Sequence, residues 1–243
     1  MNETKIIAFS GKKQSGKNTC GNFIYSLYLS RMKVSKTINI NGSGQIEVSD
    51  IFDKKEYAGI LDISNENNDD FIIKQLKTKM NPIVKLYGFA DTLKQNICMD
   101  VLGLSYDQCY GTDEQKNSLT DIEWENKKLN ARDVMQIVGT DIFRKMKNDV
   151  WTSSILRKIR RDNPRIAIIT DCRFPNEVES IQKNNGIVIR LTRDIYSSDH
   201  ISETILDQSN YDWKNFDYII DNKNLTIYEQ SLEIEKILEE VTS

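Results

Sequence analysis

The densest chemistry in this chain lies near its start, where the apolar run Ile6-Ile7-Ala8-Phe9 leads into Ser10-Gly11-Lys12-Lys13-Gln14-Ser15-Gly16-Lys17-Asn18-Thr19. Gly11 and Gly16 allow a backbone turn tight enough for successive N–H groups to point at one phosphate. Lys17 adds a mobile cation, and a helix beginning there turns its positive end to the same anion. Gly11, Lys13, Ser15, Gly16, Lys17, Asn18 and Thr19 are therefore the candidate contacts to a nucleotide's phosphates. The usual pattern places Ser or Thr directly after the lysine to hold magnesium. Here that place is Asn18, which can reach a metal through water, and the hydroxyl comes one later, making Thr19 the candidate metal ligand.

A second set is Ile166-Ala167-Ile168-Ile169-Thr170-Asp171-Cys172-Arg173-Phe174-Pro175-Asn176-Glu177. A buried strand ending in a carboxylate presents Asp171 at the carboxyl edge of a parallel sheet, where open α/β folds bind their ligands. Asp171 can hold magnesium through water, or accept a hydrogen bond from a substrate or an arginine. Arg173 can clamp a phosphate with its planar fork and offset charge as a phosphoryl group moves. The same residues also read as an ordinary helix start, with Pro175 in the first turn and a surface Arg–Glu pair.

The third set is Arg132-Asp133-Val134-Met135-Gln136-Ile137-Val138-Gly139-Thr140-Asp141, with Arg144 and Trp151 beyond it. Arg132, Gln136, Gly139 and Thr140 fall on one side of a helix, and Val134, Val138, Ile142 and Met146, stepping by four, on another. A glycine inside a helix costs about 1 kcal/mol relative to alanine, so a substrate or a neighbouring helix is expected to approach Gly139 closely. Trp151 reads equally well as a base-stacking ring or as core. In Ser197-Ser198-Asp199-His200-Ile201-Ser202-Glu203, the lone histidine lies on a polar loop after the strand Val188 to Leu191, a place suited to a lid or to base recognition. Arg190 and Arg193, near the same strand end, either meet a triphosphate or adenine or are solvated.

The elements that must position these groups alternate. Strand-like runs at Lys5 to Phe9, Ile83 to Phe89, Arg165 to Thr170, Gly186 to Leu191 and Asp217 to Ile220 are separated mostly by helical patterns, which predicts a parallel sheet covered on both faces. Asn130 is a helix cap, a helix marked by Trp151, Ile155 and Ile159 stops before Pro164, and Thr226 with Glu229 opens the last helix with a capping box. Two asparagine-rich stretches interrupt the pattern. Thr37 to Asn81 is expected to hold a hairpin (Gln45 to Phe52, then Tyr57 to Ile63), and Tyr106 to Lys128 reads as a mobile excursion.

The 243 residues carry a net charge of -3, which argues against electrostatic wrapping of nucleic acid or docking on anionic lipid. The longest apolar runs are too short to cross a bilayer, and no apolar signal segment precedes the first strand, so the expected location is the cytoplasm, a host's if the source is viral. Cys20, Cys98, Cys109 and Cys172 have no C-x-x-C spacing and only one histidine accompanies them; they read as reduced, packed thiols, Cys172 beneath a strand end.

Taken together and in order, the Gly11–Thr19 loop, Phe89-Ala90-Asp91-x-Leu93-Lys94, Arg132-x-x-Met135-Gln136-x-x-Gly139-Thr140-Asp141 with Trp151, Asp171-x-Arg173-Phe174-Pro175-Asn176-Glu177 and His200-x-Ser202-Glu203 resemble the bacteriophage deoxynucleoside monophosphate kinases. The resemblance spans both ends of the chain and lapses over the two asparagine-rich stretches. It implies the P-loop nucleoside triphosphate hydrolase fold, with a parallel five-stranded sheet and helices on both faces, in one kinase domain over 1–243 with polar inserts at about 37–81 and 106–128. It implies transfer of the γ-phosphoryl group of ATP, with Mg²⁺, to a deoxynucleoside monophosphate, giving the diphosphate and ADP. By that resemblance Lys17, Arg132, Asp171 and Arg173 are catalytic. The phosphate-loop residues hold ATP, and Arg132, Gly139, Thr140, Trp151, Asp171, Arg173, Glu177 and Glu203 form the monophosphate site. A small-molecule substrate, no nucleic acid or membrane partner, and a homodimer like that of dimeric kinases elsewhere are also implied. Asn18 stands where phage relatives tend to carry aspartate. A P-loop kinase for another small acceptor (dephospho-coenzyme A-like or a nucleoside) and a non-catalytic nucleotide-binding regulatory module remain the alternatives at this point.

Overall fold

A computed structural model of the chain describes residues 4–53, 58–63, 70–195 and 201–242. The strands in chain order are β1 (Lys5–Ser10), β2 (Thr37–Ile40), β3 (Ile46–Ser49), β4 (Ala58–Leu61), β5 (Val84–Tyr87), β6 (Leu119–Trp124), β7 (Lys127–Asn130), β8 (Ile166–Cys172), β9 (Gly186–Leu191) and β10 (Tyr218–Ile220). The chain divides into two units, one built from residues 1–87 with 159–243, the other from 88–158.

The first unit carries a five-stranded sheet of order β10-β9-β1-β8-β5, parallel at every pairing. All five strands expected from the sequence form. The apolar runs of β1, β8 and β9 are buried almost without interruption, as strands covered on both faces require, whereas Ile219 of the edge strand β10 is 48% exposed. Alternation decides which helix each residue meets: Ile7, Phe9, Ile166, Ile168, Ile187 and Ile189 share one cluster with Ile24, Tyr25 and Leu29 of the first helix (Lys17–Arg31) and Ile234 and Leu238 of the last (Ile227–Thr242). The first helix crosses the sheet so closely that a methyl group on Gly21 would lie 2.6 Å from Thr170 Cγ2. The last helix starts with the expected capping box, Glu229 N–H donating to Thr226 Oγ1 and Thr226 N–H to Glu229 Oε2. Because β1 lies between β8 and β9, the strand order reverses at its carboxyl end, where Ser10 pairs with Cys172 on one side and Arg190 on the other. That reversal opens the crevice in which such sheets bind ligands.

In the first asparagine-rich stretch the expected hairpin forms as β3–β4, and a further strand, β2, pairs antiparallel with the other edge of β3. Asn41-Gly42-Ser43-Gly44 is the turn that joins β2 to β3. Asn41 Oδ1 accepts from the N–H groups of Ser43 and Gln45, and Gly44 turns the chain at φ +76°. Ile46, Val48 and Leu61 join the main core. Tyr57, the expected start of the last strand, lies outside the described residues.

In the second unit, the stretch from Tyr106 to Lys128 holds regular structure that its polar composition concealed. Ser105 with Gln108 and Thr112 with Gln115 make capping boxes for two short helices, Tyr106–Tyr110 and Asp113–Lys116. The hairpin β6–β7 then turns at Glu125 and Asn126, both at positive φ. Asn130 Oδ1 caps the following helix by accepting from Asp133 N–H, 2.9 Å away. Beyond Gln136 that helix widens to π-type hydrogen bonding over Ile137–Arg144. The wider turn breaks the four-residue step, so Val134 is buried while Met146, expected on the same stripe, is 79% exposed. The close approach expected at Gly139 is Leu93, whose Cδ2 would lie 2.6 Å from a methyl group there.

Among the described residues no helix is long and apolar enough to cross a membrane. All four cysteines are free and buried.

Candidate active site

Ser10 ends β1, the loop runs from Gly11 to Gly16, and Lys17 begins the first helix. The loop achieves its curvature with Gln14 at φ 62° and Gly16 at φ 100°. Gly16 occupies the N-cap without a side chain, so no capping oxygen competes with an incoming anion for the helix's first N–H groups. Gly11 is required by contact as well: a Cβ there would lie 2.4 Å from Ser15 Oγ and 3.2 Å from the Leu191 carbonyl. Asn18 is exposed and Thr19 half-buried on the first helical turn.

Lys17 is only 7% exposed and curls back to donate to the carbonyls of Gly11 and Lys12 at 2.7 and 2.6 Å. Burial, then the nearby guanidinium of Arg173, push its pKa down to about 7; Asp171 works in the opposite direction and Arg190 adds to the fall. An unfolded lysine keeps its proton up to about pH 10.5, so the fold gains stability as pH rises from about 7 towards 10.5. A bound triphosphate favours the ammonium form. ATP binding at pH 8 should therefore take up close to one proton, and its affinity should fall by up to about tenfold per pH unit above 7. Calorimetry in buffers of different ionisation enthalpy measures this directly, and zero uptake at pH 8 would remove Lys17 as the titrating group.

Asp171 and Arg173 stand where the strand reading placed them, Asp171 within β8 and Arg173 just beyond it. Arg173 is held from two sides. Glu177, 1% exposed, accepts from the backbone N–H groups of Arg173 and Phe174 at 2.8 and 3.1 Å, capping the helix Pro175–Gln182. Glu203 forms an ion pair with the guanidinium. The other oxygen of Glu203 accepts from the N–H of Lys13 at 2.8 Å. One carboxylate thus ties the phosphate loop to Arg173. Burial lowers the pKa of Arg173 from its usual value, with Asp171 and Glu177 opposing.

The sequence reading missed several supports, which belong to no local motif. Asn222, fully buried after β10, donates to the Ser15 carbonyl at 2.8 Å and to Gln230 Oε1 at 2.6 Å, and accepts from Arg193 N–H. It joins the phosphate loop to the last helix, and its loss leaves buried polar groups unpaired. Asn222→Ala is expected to lower unfolding free energy by about 2–3 kcal/mol in a denaturant titration; a loss below about 0.5 kcal/mol would mean this strut contributes little. Arg193 also donates to the carbonyls of Asn222 and Leu225. Arg190 is buried beneath the Trp213 and Phe216 rings, donating to Ser10 Oγ and facing Asp207. Arg190 is thus buried and Arg193 half-buried, both held by protein partners. Lys12 pairs with Asp194 and Asp207, which raise its pKa.

The second unit holds the remaining candidates. Trp151 is buried; its indole N–H donates to the Gly139 carbonyl at 2.9 Å and its ring packs on Phe143. Arg132 donates to Asp113 Oδ1 and Asn117 Oδ1, and Thr140 is exposed on the widened turn. Ser202 and Glu203 are described, whereas His200 lies outside the described residues. Cys172 is fully buried with its thiol pKa raised by burial, the packed role expected of it.

A five-stranded parallel sheet with a phosphate loop at its order reversal, and a basic fork from the neighbouring strand held to that loop, define a phosphate-loop kinase, an enzyme of the phosphotransferase class. The sequence profile of the deoxynucleotide monophosphate kinases matches residues 5–231, and the chain belongs to that family. It is 33% identical over 156 residues, 58% of this chain and 76% of the relative, to a protein of Acanthamoeba polyphaga mimivirus provisionally named a deoxynucleotide monophosphate kinase. Over 60 residues, 24% of each chain, it is 35% identical to the deoxynucleoside-5'-monophosphate kinase of Escherichia phage T5.

Proposed function

We propose that this protein transfers the γ-phosphoryl group of ATP to a deoxynucleoside monophosphate, its 243 residues acting as one kinase domain in the cytoplasm. The observation that carries the reading is the Glu203 bridge, which sets a donor-type loop and an acceptor-type arginine side by side at one strand edge. The oxygens at that edge suit Mg²⁺, a hard cation that keeps waters and takes phosphate oxygens with one or two protein ligands. Thr19 and Asp171 would hold it, and when bound it would neutralise charge on the β and γ phosphates.

The chain's own residues do the rest. Loop N–H groups grip the triphosphate, and Lys17 exchanges its two backbone carbonyls for phosphate oxygens. Arg173, fixed at its backbone by Glu177, steadies the acceptor phosphate, a role we extend to Arg132. Trp151 and Gly139, bonded to each other, shape the segment that carries Thr140. No general base is needed, because the acceptor oxygen is already ionised at neutral pH; placement and charge compensation supply the catalysis. A homodimer is part of this proposal.

An ADP-release assay across common deoxy- and ribonucleoside monophosphates tests it. Stimulation by deoxynucleoside monophosphates is the expected result. Stimulation only by a nucleoside or by dephospho-coenzyme A, or turnover indifferent to any acceptor, would replace it with one of the two alternatives.

A further inference from the structure

The turn between β2 and β3 rests on the first helix at the residue that follows Lys17 and Asn18. A Cβ on Gly44 would lie 2.1 Å from Thr19 Oγ1 and 3.0 Å from both its Cβ and Cγ2. One helical step further along the same face, Asn22 Nδ2 donates to the Gly44 carbonyl at 2.9 Å. Gly44 is buried and sits at φ +76°, a conformation that Asn41 enforces by accepting from Ser43 and Gln45 N–H groups. Threonine is stiff at χ1, with two heavy atoms on Cβ. A Cβ at position 44 would therefore collide with the hydroxyl and crowd the methyl, and the stiff side chain has few other rotamers to escape to.

We infer that Gly44 is a positioning residue: through it the β2–β3 turn of the polar insert fixes the orientation of the Thr19 hydroxyl for the nucleotide's phosphates and their metal. The inference rests on the proposed nucleotide role of the Gly11–Thr19 loop and gives the insert a task within it. The insert therefore contributes to the donor site without touching the nucleotide. Neighbouring Gly42 supplies a built-in control, since a Cβ there meets nothing within 4 Å.

The test is titration of MgATP against the folded full chain in the absence of acceptor, followed by steady-state kinetics. Gly44→Ala should weaken MgATP binding by about tenfold or more and raise KM for ATP, with KM for the acceptor unchanged. Gly44→Asn should do the same, because asparagine tolerates positive φ but keeps the colliding Cβ. Gly42→Ala should match the wild type. In a Thr19→Ala background the effect of Gly44→Ala should shrink to less than about twofold, since the two substitutions act on one contact. Full effect in that background, or unaltered MgATP binding by Gly44→Ala and Gly44→Asn, would overturn the inference. Failure of the wild-type chain to bind ATP at all would instead remove the reading of the loop on which it rests.

Discussion

Lys17→Ala is expected to abolish all but about a thousandth of turnover, some 4 kcal/mol of transition-state stabilisation. The size follows from where the ammonium sits. It is buried, and among the described residues it donates to the Gly11 and Lys12 carbonyls and, at 3.5 Å, to Ser15 Oγ. A triphosphate offers it full negative charge in the same water-poor place. Charge on the moving phosphoryl group spreads over its oxygens as the donor bond lengthens, so a cation fixed beside those oxygens acts most strongly at the transition state. Lys17→Met, which keeps the apolar stem, should be as inactive as the alanine variant, with both folding normally by circular dichroism. Turnover within about tenfold of wild type in either variant would show that the loop's N–H groups suffice without the lysine.

Arg173→Ala should reduce kcat/KM for the acceptor at least about tenfold, roughly 1.4 kcal/mol, while ATP affinity changes less. The guanidinium is one end of a three-part link, Lys13 N–H to Glu203 to Arg173, and its backbone is anchored by Glu177. Removing it leaves Glu203 beside the phosphate loop with one partner instead of two, adding a carboxylate's repulsion to the loss of the clamp. Arg173→Lys should recover only part of the activity, because an ammonium restores the charge without the planar fork that engages two oxygens. Unchanged acceptor kinetics in Arg173→Ala would withdraw its assignment to the acceptor phosphate.

What could be read from the sequence was what is local. The Gly11–Thr19 loop, the strands, the Thr226–Glu229 box and the Asn130 cap each declare themselves within a few residues, because backbone geometry and one side chain decide them. Asp171 and Arg173 could be placed because a strand end has only one location in a parallel sheet. Asn222, Gln230 and Arg190 could not, since their partners Ser15, Cys20 and Ser10 lie 207, 210 and 180 positions away and no spacing rule connects them. The π-type widening after Gln136 also escaped a reading that assumed a constant helical step, which is why Met146 was placed on the wrong side. Polar composition hid the β2–β3 turn, the β6–β7 hairpin and the two short helices before it, although the Ser105 and Thr112 capping boxes of those helices lay in the sequence.

The central claim is met most directly by following the label from γ-phosphate-labelled ATP in a single turnover with a deoxynucleoside monophosphate. The account predicts that the label appears in the deoxynucleoside diphosphate, in equal amount to the ADP formed, and that Lys17→Ala prevents this. Label recovered only as inorganic phosphate, whether or not the monophosphate is present, would contradict it.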